Sequence, residues 1–367
     1  MTSVTVDQNS VAGDSAPSAR PRLSDVGRLA GVSAQTVSRF FTGKGYVHDD
    51  TRMRIQQAIE DLGYRPNRIA RSMHKTRTGT IGLLSAGAMN FGAAQTLAGM
   101  SARAQATDST LITAHITDST HQEDEVARAL EHMLSMQVDG IVVAARFGDI
   151  GRVLADTVRD EVPVVIIAGR PLPQLDSAGA NSYDAGRLAM RHLLQLGHEQ
   201  IAYLSGPSDS EESRERQRAY EDSLSDAGLS HLPTISGGEW DSAAGYRAGL
   251  ANDLRQYSAV FCGNDELALG LLAAARTKGL AVPRDFSVVG VDDMPEAAYF
   301  YPPLTTVRFD FAALGTAAFD MICRRIETGV RQENAVLPAE LVVRESTAAP
   351  SRSHRRSARR KATGPTS

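Results

Sequence analysis

The stretch LSDVGRLAGVSAQTVSRFFTG, residues 23–43, decides the fold of the N-terminal part of the chain. On both sides of a Gly-Val-Ser turn, apolar residues recur at three- and four-residue spacings, which is typical of amphipathic helices. In the turn, Gly31 can adopt a positive φ, Val32 can fill the space between the helices, and the Ser33 hydroxyl can cap the second helix. The stretch therefore predicts two short helices joined by a tight turn.

These helices are expected to bury their apolar stripes against one another and against a third helix. The first should run from an N-cap at Ser24 to Ala30, and the second should span 34–41. Gly63 should end the third helix, because glycine is common directly after a helix. The three stripes are Val26, Leu29 and Ala30; Val37, Phe40 and Phe41; and Ile55, Ala58, Ile59 and Leu62.

The outer face of the second helix carries residues that indicate a function. Ala34, Gln35, Ser38 and Arg39 fall on the side away from the apolar stripe. Gln pairs with adenine and Arg with guanine in the major groove, so Gln35 and Arg39 are candidate base-reading residues. The stretch is then a helix-turn-helix whose second helix enters the groove. The alternative is a helical hairpin whose polar face is incidental.

The net charge of −4 hides an uneven distribution. Residues 20–77 contain 12 Lys or Arg against 5 Asp or Glu, whereas residues 78–349 contain 21 against 36. The last segment, 350–367, contains 6 Lys or Arg and no acidic residue. A compact basic module on an acidic body suggests that the N-terminal part binds a polyanion, although a solvated basic face gives the same count.

Three motifs occur in fixed register near the N-terminus. They are L-x-D-V-x-x-x-A-G-V-S-x-x-T-V-S-R at 23–39, T-R at 51–52 and L-G-Y-x-P-N-x-x-A-R-S at 62–72. With these motifs, residues 23–80 resemble the DNA-binding end of the LacI/GalR (lactose-repressor) family. The resemblance implies a homodimer on a pseudo-palindromic double-stranded DNA operator, because one headpiece reads only a half-site.

The resemblance also implies individual DNA contacts. Gln35 and Arg39 match base-reading positions, and residues 67–74 match a hinge helix in the minor groove, where Met73 replaces the usual leucine wedge. Ala34 stands where the lactose repressor has a tyrosine, so the operator sequence cannot be carried over. Gly27 replaces the usual alanine, at a cost of roughly 1 kcal/mol in helix propensity. The predicted interface is Ala34, Gln35, Thr36, Ser38, Arg39, Thr51, Asn67, Ala70 and Met73.

From residue 80 onward, short apolar runs alternate with segments of helical periodicity. This alternation predicts βαβ units and therefore an α/β core of parallel sheets flanked by helices. Because residues 80–346 are too many for one such sheet, we expect two lobes. The expected divisions are a disordered leader 1–20, a headpiece 21–64, a hinge helix and linker 65–79, the effector-binding and dimerisation core 80–346 and a disordered basic tail 347–367. The predicted strands are 81–85, 111–116, 140–145, 162–168, 200–206, 259–263 and 286–291, and the predicted helices include 122–136, 185–196, 213–227 and 266–278.

The core also resembles the same family, whose regulatory core is similar to periplasmic sugar-binding proteins. The motifs include A-N-S-Y-D-A-G-R-L-A at 180–189, F-C-G-N-D-E-L-A-L-G at 261–270 and V-P-R-D-F-S-V-V-G-V-D-D at 282–293. Ligands of such folds lie between the lobes, at the carboxyl ends of the strands. The resemblance implies a small-molecule effector, most simply a sugar, held by Arg216, Trp240, Asn264, Asp292, Phe311 and Arg170.

Two of these residues have alternative interpretations. Arg216 could form a surface ion pair with Glu212 or Glu215, and Trp240 could be buried packing. Gly92 and Ala93 stand where the family often carries aromatic residues, which suggests a roomier pocket for a disaccharide.

Other functional classes find little support in the sequence. The chain lacks G-x-S-x-G, a phosphate-binding P-loop and a metal-ligand histidine spacing, so no enzyme activity, metal or cofactor is expected. Cys262 and Cys323 do not make a disulfide framework, and the polar N-terminus is not a secretion signal. We therefore expect a cytoplasmic transcriptional regulator, by default a repressor. The alternatives are a solute-binding protein of a sugar transport system and a sequence-neutral DNA-binding protein.

Overall fold

The computed structural model describes residues 21–42, 45–65, 77–87, 89–116, 122–144, 150–159, 161–168 and 175–351. The chain divides into two compact units between Thr78 and Gly79. Four predicted site residues, Asn67, Ala70, Met73 and Arg170, lie outside the described residues. The predicted leader and most of the predicted tail also lie outside them.

The described residues of the N-terminal unit, called the headpiece below, form three helices. They are α1 (Leu23–Ala30), α2 (Ala34–Thr42) and α3 (Asp49–Leu62). The predicted turn is confirmed, because Gly31 has a φ of 67° and the Ser33 hydroxyl accepts a hydrogen bond from the Thr36 amide at 3.1 Å. Gly63 ends α3 in the left-handed conformation, as expected. The buried side chains that hold the three helices together are Val26, Ala30, Val37, Val47, Ile55, Ala58 and Tyr64.

Three expectations about α1 were wrong or incomplete. The N-cap lies two residues earlier than predicted, at Arg22, whose amide donates to the Asp25 carboxylate at 2.8 Å, and Ser24 lies inside the helix. Leu29 is 54% exposed and does not belong to the buried stripe. Gly27 also has a steric role, because a Cβ at this position would lie 2.8 Å from the Val32 carbonyl oxygen. The turn approaches α1 so closely that a side chain at this position does not fit.

The second unit, called the core, contains two six-stranded sheets, one in each lobe. Lobe 1 has the strand order β11-β5-β4-β3-β1-β2, and lobe 2 has the order β12-β10-β9-β8-β6-β7. All neighbouring strands are parallel except β10 and β12, so the predicted α/β architecture is confirmed. The strands are β1 (Thr80–Ala86), β2 (Thr110–Ile116), β3 (Gly140–Ala144), β4 (Val164–Ile167), β5 (Asp176–Ala180), β6 (Ile201–Ser205), β7 (Ile235–Ser236), β8 (Ala259–Cys262), β9 (Ser287–Asp292), β10 (Thr305–Arg308), β11 (Ala335–Leu337) and β12 (Glu340–Val342).

Helices cover the faces of both sheets. The helices of lobe 1 are α4 (Phe91–Ala106), α5 (Gln122–Ser135), α6 (Ile150–Val158) and α11 (Phe311–Thr328). The helices of lobe 2 are α7 (Ser182–Gln195), α8 (Glu211–Asp226), α9 (Ser242–Ala251) and α10 (Asp265–Thr277). Because both faces are covered, the central strands are buried along their length, as in β6 and β9.

The chain passes between the lobes three times. The crossings lie between β5 and α7, between β10 and α11, and between β11 and β12. Ala180 and Phe311, each next to a crossing, pack against the apolar clusters of both lobes. The crossings therefore form a joint with its own apolar contacts.

Candidate DNA interface and effector site

In the headpiece, α2 presents the predicted base-reading residues to solvent. Ala34, Gln35 and Arg39 are exposed, whereas Val37 on the opposite side of the helix is fully buried. This arrangement exposes the outer face to solvent while the inner face anchors the helix. The exposed methyl of Ala34 can reach a thymine methyl but can form no hydrogen bond.

Thr36, Ser38 and Thr51, which also belong to the predicted DNA interface, flank that face and are only partly exposed. The hydroxyls of Thr36 and Ser33 share a hydrogen bond of 2.9 Å, and the Thr51 hydroxyl accepts one from Arg54 at 3.3 Å. Ser38 is also partly buried. These contacts fix the side chains at the two ends of the recognition surface. Sequence reasoning missed Tyr46, which is 84% exposed and packs edge-on against His48, with ring centroids 6.2 Å apart.

In the core, Arg216 lies at the carboxyl end of the lobe 2 sheet. It comes from the first turns of α8 and is buried, and its Nη1 donates to the Gly263 carbonyl oxygen directly after β8. Its guanidinium carbon lies 5.5 Å from the centroid of the Trp240 ring. Glu215 pairs instead with Arg218, at 2.6 Å. The alternative of a surface ion pair for Arg216 is therefore excluded, and the side chain faces the interior of the site.

Asp292 stands opposite Arg216, at the last residue of β9. Its φ of 116° is a conformation that L-residues rarely adopt, and such backbone strain is concentrated at functional sites. Burial raises the pKa of Asp292 to about 7. Arg216 opposes this shift, whereas Glu266 and Glu212 add to it. A carboxyl group in this state can change its protonation when a ligand arrives.

Asn264 and Trp240 are linked to each other. The side-chain amide of Asn264 donates to the Trp240 carbonyl oxygen at 3.0 Å, and its oxygen caps α10 by accepting from the Leu267 amide at 2.8 Å. Asn264 is thus placed to hold Trp240 and α10 together. The Trp240 ring fits against Gly206 and Gly263, which leaves the residue 9% exposed. The structure is therefore compatible with both interpretations of Trp240, buried packing and stacking against a sugar face.

Phe311 lies on the lobe 1 side, at the start of α11. Its ring packs edge-on against Phe91, at 6.3 Å between centroids, and beside Phe309, at 5.6 Å. A Cβ on Gly92 would lie only 3.0 Å from this ring. The Phe311 ring therefore packs directly against Gly92, and the suggestion that Gly92 and Ala93 make a roomier pocket stays a prediction.

Two carboxylates were not predicted as site residues, although each adjoins one that was. Asp265 is buried and accepts from the Thr306 hydroxyl at 2.5 Å and the Met294 amide at 3.0 Å. Asp293 accepts from Arg308 at 2.7 Å and Arg344 at 2.6 Å. Burial, then the charge of Asp292, raises the pKa of Asp265 well above its usual range. Both residues brace the loop that carries Asp292, and the acidic pairs after β8 and β9 were the available signal.

The pKa of Glu266 in lobe 2 is influenced by a backbone group of lobe 1. Glu266, at the start of α10 in lobe 2, lies near the backbone amide of Phe91, at the start of α4 in lobe 1. Burial raises the pKa of Glu266, and the charge of Asp241 adds to the shift. The Phe91 amide lowers this pKa in turn, as a hydrogen-bond donor to the carboxylate does. The starts of two helices that belong to different lobes thus lie close enough for one to influence a carboxyl group of the other.

Two features are absent from the parts of the chain that the structure describes. No helix there is long and apolar enough to cross a membrane. No group of three or more His, Cys, Asp or Glu side chains is arranged there to hold a metal ion.

Two family models match the chain. The model for bacterial regulatory proteins of the lacI family matches residues 22–67, and the model for a periplasmic binding protein-like domain matches residues 190–347. The HTH-type transcriptional regulator AscG of Escherichia coli K12 is 30% identical over 335 residues, which cover 89% of this chain and 98% of that protein.

Solved structures resemble the chain along the same length. The lac repressor dimer bound to operator and the anti-inducer ONPF has a TM-score of 0.82 and 28% identity, and the match covers 90% of this chain and 100% of that one. The complex of the transcriptional regulator CelR with cellobiose has a TM-score of 0.66 and 28% identity, covering 89% and 100%. The likeness thus extends over both units.

Proposed function

This chain belongs to the lacI family of bacterial regulatory proteins, and we propose that it is a repressor that binds a pseudo-palindromic operator as a homodimer. A small molecule in the core cleft, most simply a sugar, changes its affinity for that operator. The observation that carries the proposal is the exposure of Gln35 and Arg39 on a helix whose opposite face, at Val37, is fully buried.

The effector site is assigned to Arg216 and Asp292, together with Trp240. A guanidinium donates and a carboxylate accepts, which matches the vicinal hydroxyls of a sugar, and an indole ring offers an apolar surface to a sugar face. Asn264 acts by holding Trp240, and Phe311 by closing the lobe 1 side. The CelR complex contains cellobiose, which makes a disaccharide the first ligand to test.

The switch is proposed to be a change in lobe closure. A ligand that contacts both lobes favours one closure state, and the reciprocal effect requires that DNA binding changes ligand affinity by the same factor. At the crossings, Ala180 and Phe311 pack against the apolar clusters of both lobes, so a change in closure has to alter these contacts. The predicted hinge contacts at Asn67, Ala70 and Met73 remain part of the proposal, as does a pocket contact by Arg170.

We further propose that the protein acts in the cytoplasm and catalyses no reaction. Its relatives are transcriptional regulators, and no sequence motif of an enzyme accompanies the cleft. A solute-binding protein of a transport system would not need the headpiece.

The test is selection of operator sequences from random duplex DNA by the full-length protein. We expect an enriched pseudo-palindrome. Arg39→Ala should weaken binding to it by about 10-fold or more, since a bidentate arginine–guanine pair contributes roughly 1–3 kcal/mol. Arg28→Ala is the matched control, because this arginine is also exposed but lies on α1. Failure to enrich any sequence would overturn the proposal and favour sequence-neutral binding.

The effector is tested separately with the selected operator. Mono- and disaccharides are screened for release or tightening of the complex, with Trp240 fluorescence as a second signal because it is the only tryptophan in the sequence. A response that disappears in Asp292→Asn supports the assigned cleft. A response that survives in this variant places the ligand elsewhere.

A further inference from the structure

The carboxylate of Asp293, the residue after Asp292, is held by two arginines. Its Oδ2 accepts from Arg308 Nε at 2.7 Å, and its Oδ1 accepts from Arg344 Nη2 at 2.6 Å. Arg344 Nη1 also donates to the Leu304 carbonyl oxygen at 2.8 Å. The Asp293 side chain is only 8% exposed, so water competes little for these charge-assisted hydrogen bonds. Asp293, Arg308 and Arg344 are called the clamp below.

The backbone beside the clamp is held in one unusual conformation. Asp292 has a φ of 116° and Asp293 has a φ of 51°, so two consecutive L-residues adopt conformations that such residues rarely adopt. The Asp293 amide donates to the Thr306 hydroxyl at 3.4 Å, and the Met294 amide donates to the Asp265 carboxylate at 3.0 Å. A strained backbone persists only where its surroundings fix it. The direction of the Asp292 side chain therefore depends on the contacts of its neighbour.

Arg308 is the last residue of β10 and lies between two other strands of lobe 2. In the register of the sheet it is paired with Asp292 of β9 on one side and with Glu340 of β12 on the other. Its guanidinium spans the same strands, because Nη1 lies 3.7 Å from the Glu340 carboxylate while Nε holds Asp293. Glu340 is mostly exposed, so the pair with Asp293 is the stronger one. One side chain thus links the ends of three neighbouring strands.

Two of the three crossings between the lobes adjoin Arg308. The chain leaves lobe 2 directly after it, through Phe309 and Asp310, and Asp310 caps α11 of lobe 1 by accepting from the Ala313 amide at 2.8 Å. The chain returns from β11 to lobe 2 at Glu340, the first residue of β12. A change in lobe closure has to rotate these two connections. Arg308 begins one of them and is paired with the residue that ends the other.

We propose that Arg308 is a positioning residue for the effector site, which converts a change in lobe closure into a change in the direction of the Asp292 carboxylate. The inference rests on the proposed function in taking Asp292 as a ligand-binding residue. When the connections at Arg308 move, the guanidinium moves with them and carries Asp293, which is joined to Asp292 by one peptide bond. The coupling is reciprocal, so a change of charge at Asp292 must also alter the joint between the lobes.

Titration of Asp292 provides such a change of charge without a ligand. Burial raises its pKa to about 7, so its charge changes between about pH 5.5 and about pH 8.5. The charged groups near it are Arg216 and Glu212 of α8, Glu266 and Asp265 of α10, Asp293 after β9 and the neighbouring Arg308 of β10. Of these, Arg216, Glu266 and Glu212 shift the pKa of Asp292 through their charges.

The test follows Phe311, whose ring packs against the apolar clusters of both lobes, while Asp292 titrates. Full-length protein is labelled with fluorophenylalanine at its ten Phe positions, and the fluorine NMR signal of Phe311 is assigned by Phe311→Tyr. We expect this signal to shift with pH around a midpoint of about 7. The shift should disappear in Asp292→Asn, which assigns it to this carboxyl group rather than to a histidine.

Substitutions of Arg308 test the coupling itself. Arg308→Gln should abolish the pH-dependent shift of Phe311, because a neutral amide holds the Asp293 carboxylate less firmly than a guanidinium does. Arg308→Lys keeps the charge with fewer donors and should restore part of the shift. Arg284→Gln is the matched control. Arg284 also pairs with an aspartate, Asp285 at 3.2 Å, but it precedes β9 at the other end of the strand, so the shift should be unchanged.

A shift of Phe311 that persists in Arg308→Gln would overturn the inference, because Asp292 would then act on the ring without the clamp. The absence of any shift in the unsubstituted protein would overturn it as well. If Arg308→Gln does not fold, Arg308→Lys decides, and a shift as large as that of Arg284→Gln counts against the inference. The titration uses neither DNA nor a ligand. A protein that selects no operator but shows the expected titration would therefore refute the proposed function and leave this coupling intact.

Discussion

The Nη2 atom of Arg216 lies 3.9 Å from Oδ1 of Asp292, beyond hydrogen-bond distance, although both side chains are more than nine-tenths buried. Arg216 Nε also has no acceptor within the described residues. Two buried charged groups that stop short of full pairing are costly, and the cost falls when a third group supplies the missing hydrogen bonds. Hydroxyls of a ligand placed between them would do this. The pair is therefore better arranged for binding a polar ligand than for stabilising the fold.

The first prediction concerns stability against pH. The folded pKa of Asp292 is about 7, above its usual 3.8, so the folded state holds the proton more tightly. Its contribution to the free energy of unfolding is then greatest below pH 4 and declines as pH rises towards 7. Asp292→Asn should remove this decline, so urea unfolding of the variant should change less between pH 5 and 8. Asp265, whose pKa is also raised, should leave a residual slope. Identical pH dependence in both proteins would refute the assignment.

The second prediction concerns proton release on ligand binding. Hydroxyls that donate to Asp292 favour its ionised form and lower its pKa from about 7. Below pH 7 a ligand must therefore displace a proton, and its affinity should weaken by up to about 10-fold per pH unit. Calorimetry in buffers of different ionisation enthalpy measures the released proton. Tighter ligand binding at pH 5.5 than at pH 8 would contradict the assignment.

The third prediction concerns Gly27 in the headpiece. Helix propensity alone favours Gly27→Ala by about 1 kcal/mol. The new Cβ would lie 2.8 Å from the Val32 carbonyl oxygen, a backbone atom that cannot move without disturbing the turn. We expect a net loss of about 1–3 kcal/mol, seen as faster amide exchange in α1 and weaker operator binding. Arg28→Ala, at the next position on α1, should have a much smaller effect. Slower exchange in Gly27→Ala would show that the turn can adjust.

The fourth prediction compares two glycines of α4. A Cβ on Gly99 would lie 2.1 Å from the Ala312 carbonyl oxygen, so Gly99→Ala must separate α4 from α11. A Cβ on Gly92 meets only the ring of Phe311, at 3.0 Å, which can turn slightly. Gly99→Ala should therefore lower the free energy of unfolding more than Gly92→Ala, with an exposed control in Ala93→Ser. An equal loss in the free energy of unfolding for Gly99→Ala and Gly92→Ala would indicate that the Phe311 ring is held as firmly as the backbone.

The parts of the fold that the sequence predicts are those with a strong pattern. The strands at 201–205 and 259–262 were predicted to within one residue at each end, because buried parallel strands are continuously apolar. Helix α4 was not predicted, because its buried face includes Gly92, Thr96 and Gly99. Those residues allow close backbone contact and leave no apolar stripe. Strand β5, with the sequence D-S-A-G-A, was not predicted for the same reason, because it contains no large apolar residue.

The residues of the candidate site likewise fall into two groups, those that the sequence predicts and those whose roles depend on their neighbours in space. Arg216 and Asp292 were predicted through motif positions, and the structure brings them together. The roles of Asn264 and Phe311 depend on what lies beside them in space, namely the Trp240 carbonyl and Gly92. Sequence spacing carries no information about such neighbours. The raised pKa of Asp292 likewise comes from burial and from Glu212 and Glu266, which belong to other elements of the fold.

The three crossings between the lobes also determine which parts of the protein can exist as separate fragments. Neither lobe is one continuous stretch: β11 and α11 belong to lobe 1 although they follow most of lobe 2 in sequence. A fragment of residues 190–347, the span of the periplasmic binding protein-like match, would carry α11 without the sheet it covers. Severing any one crossing by proteolysis would leave two others intact. An isolated lobe thus has to be rebuilt by rejoining distant segments.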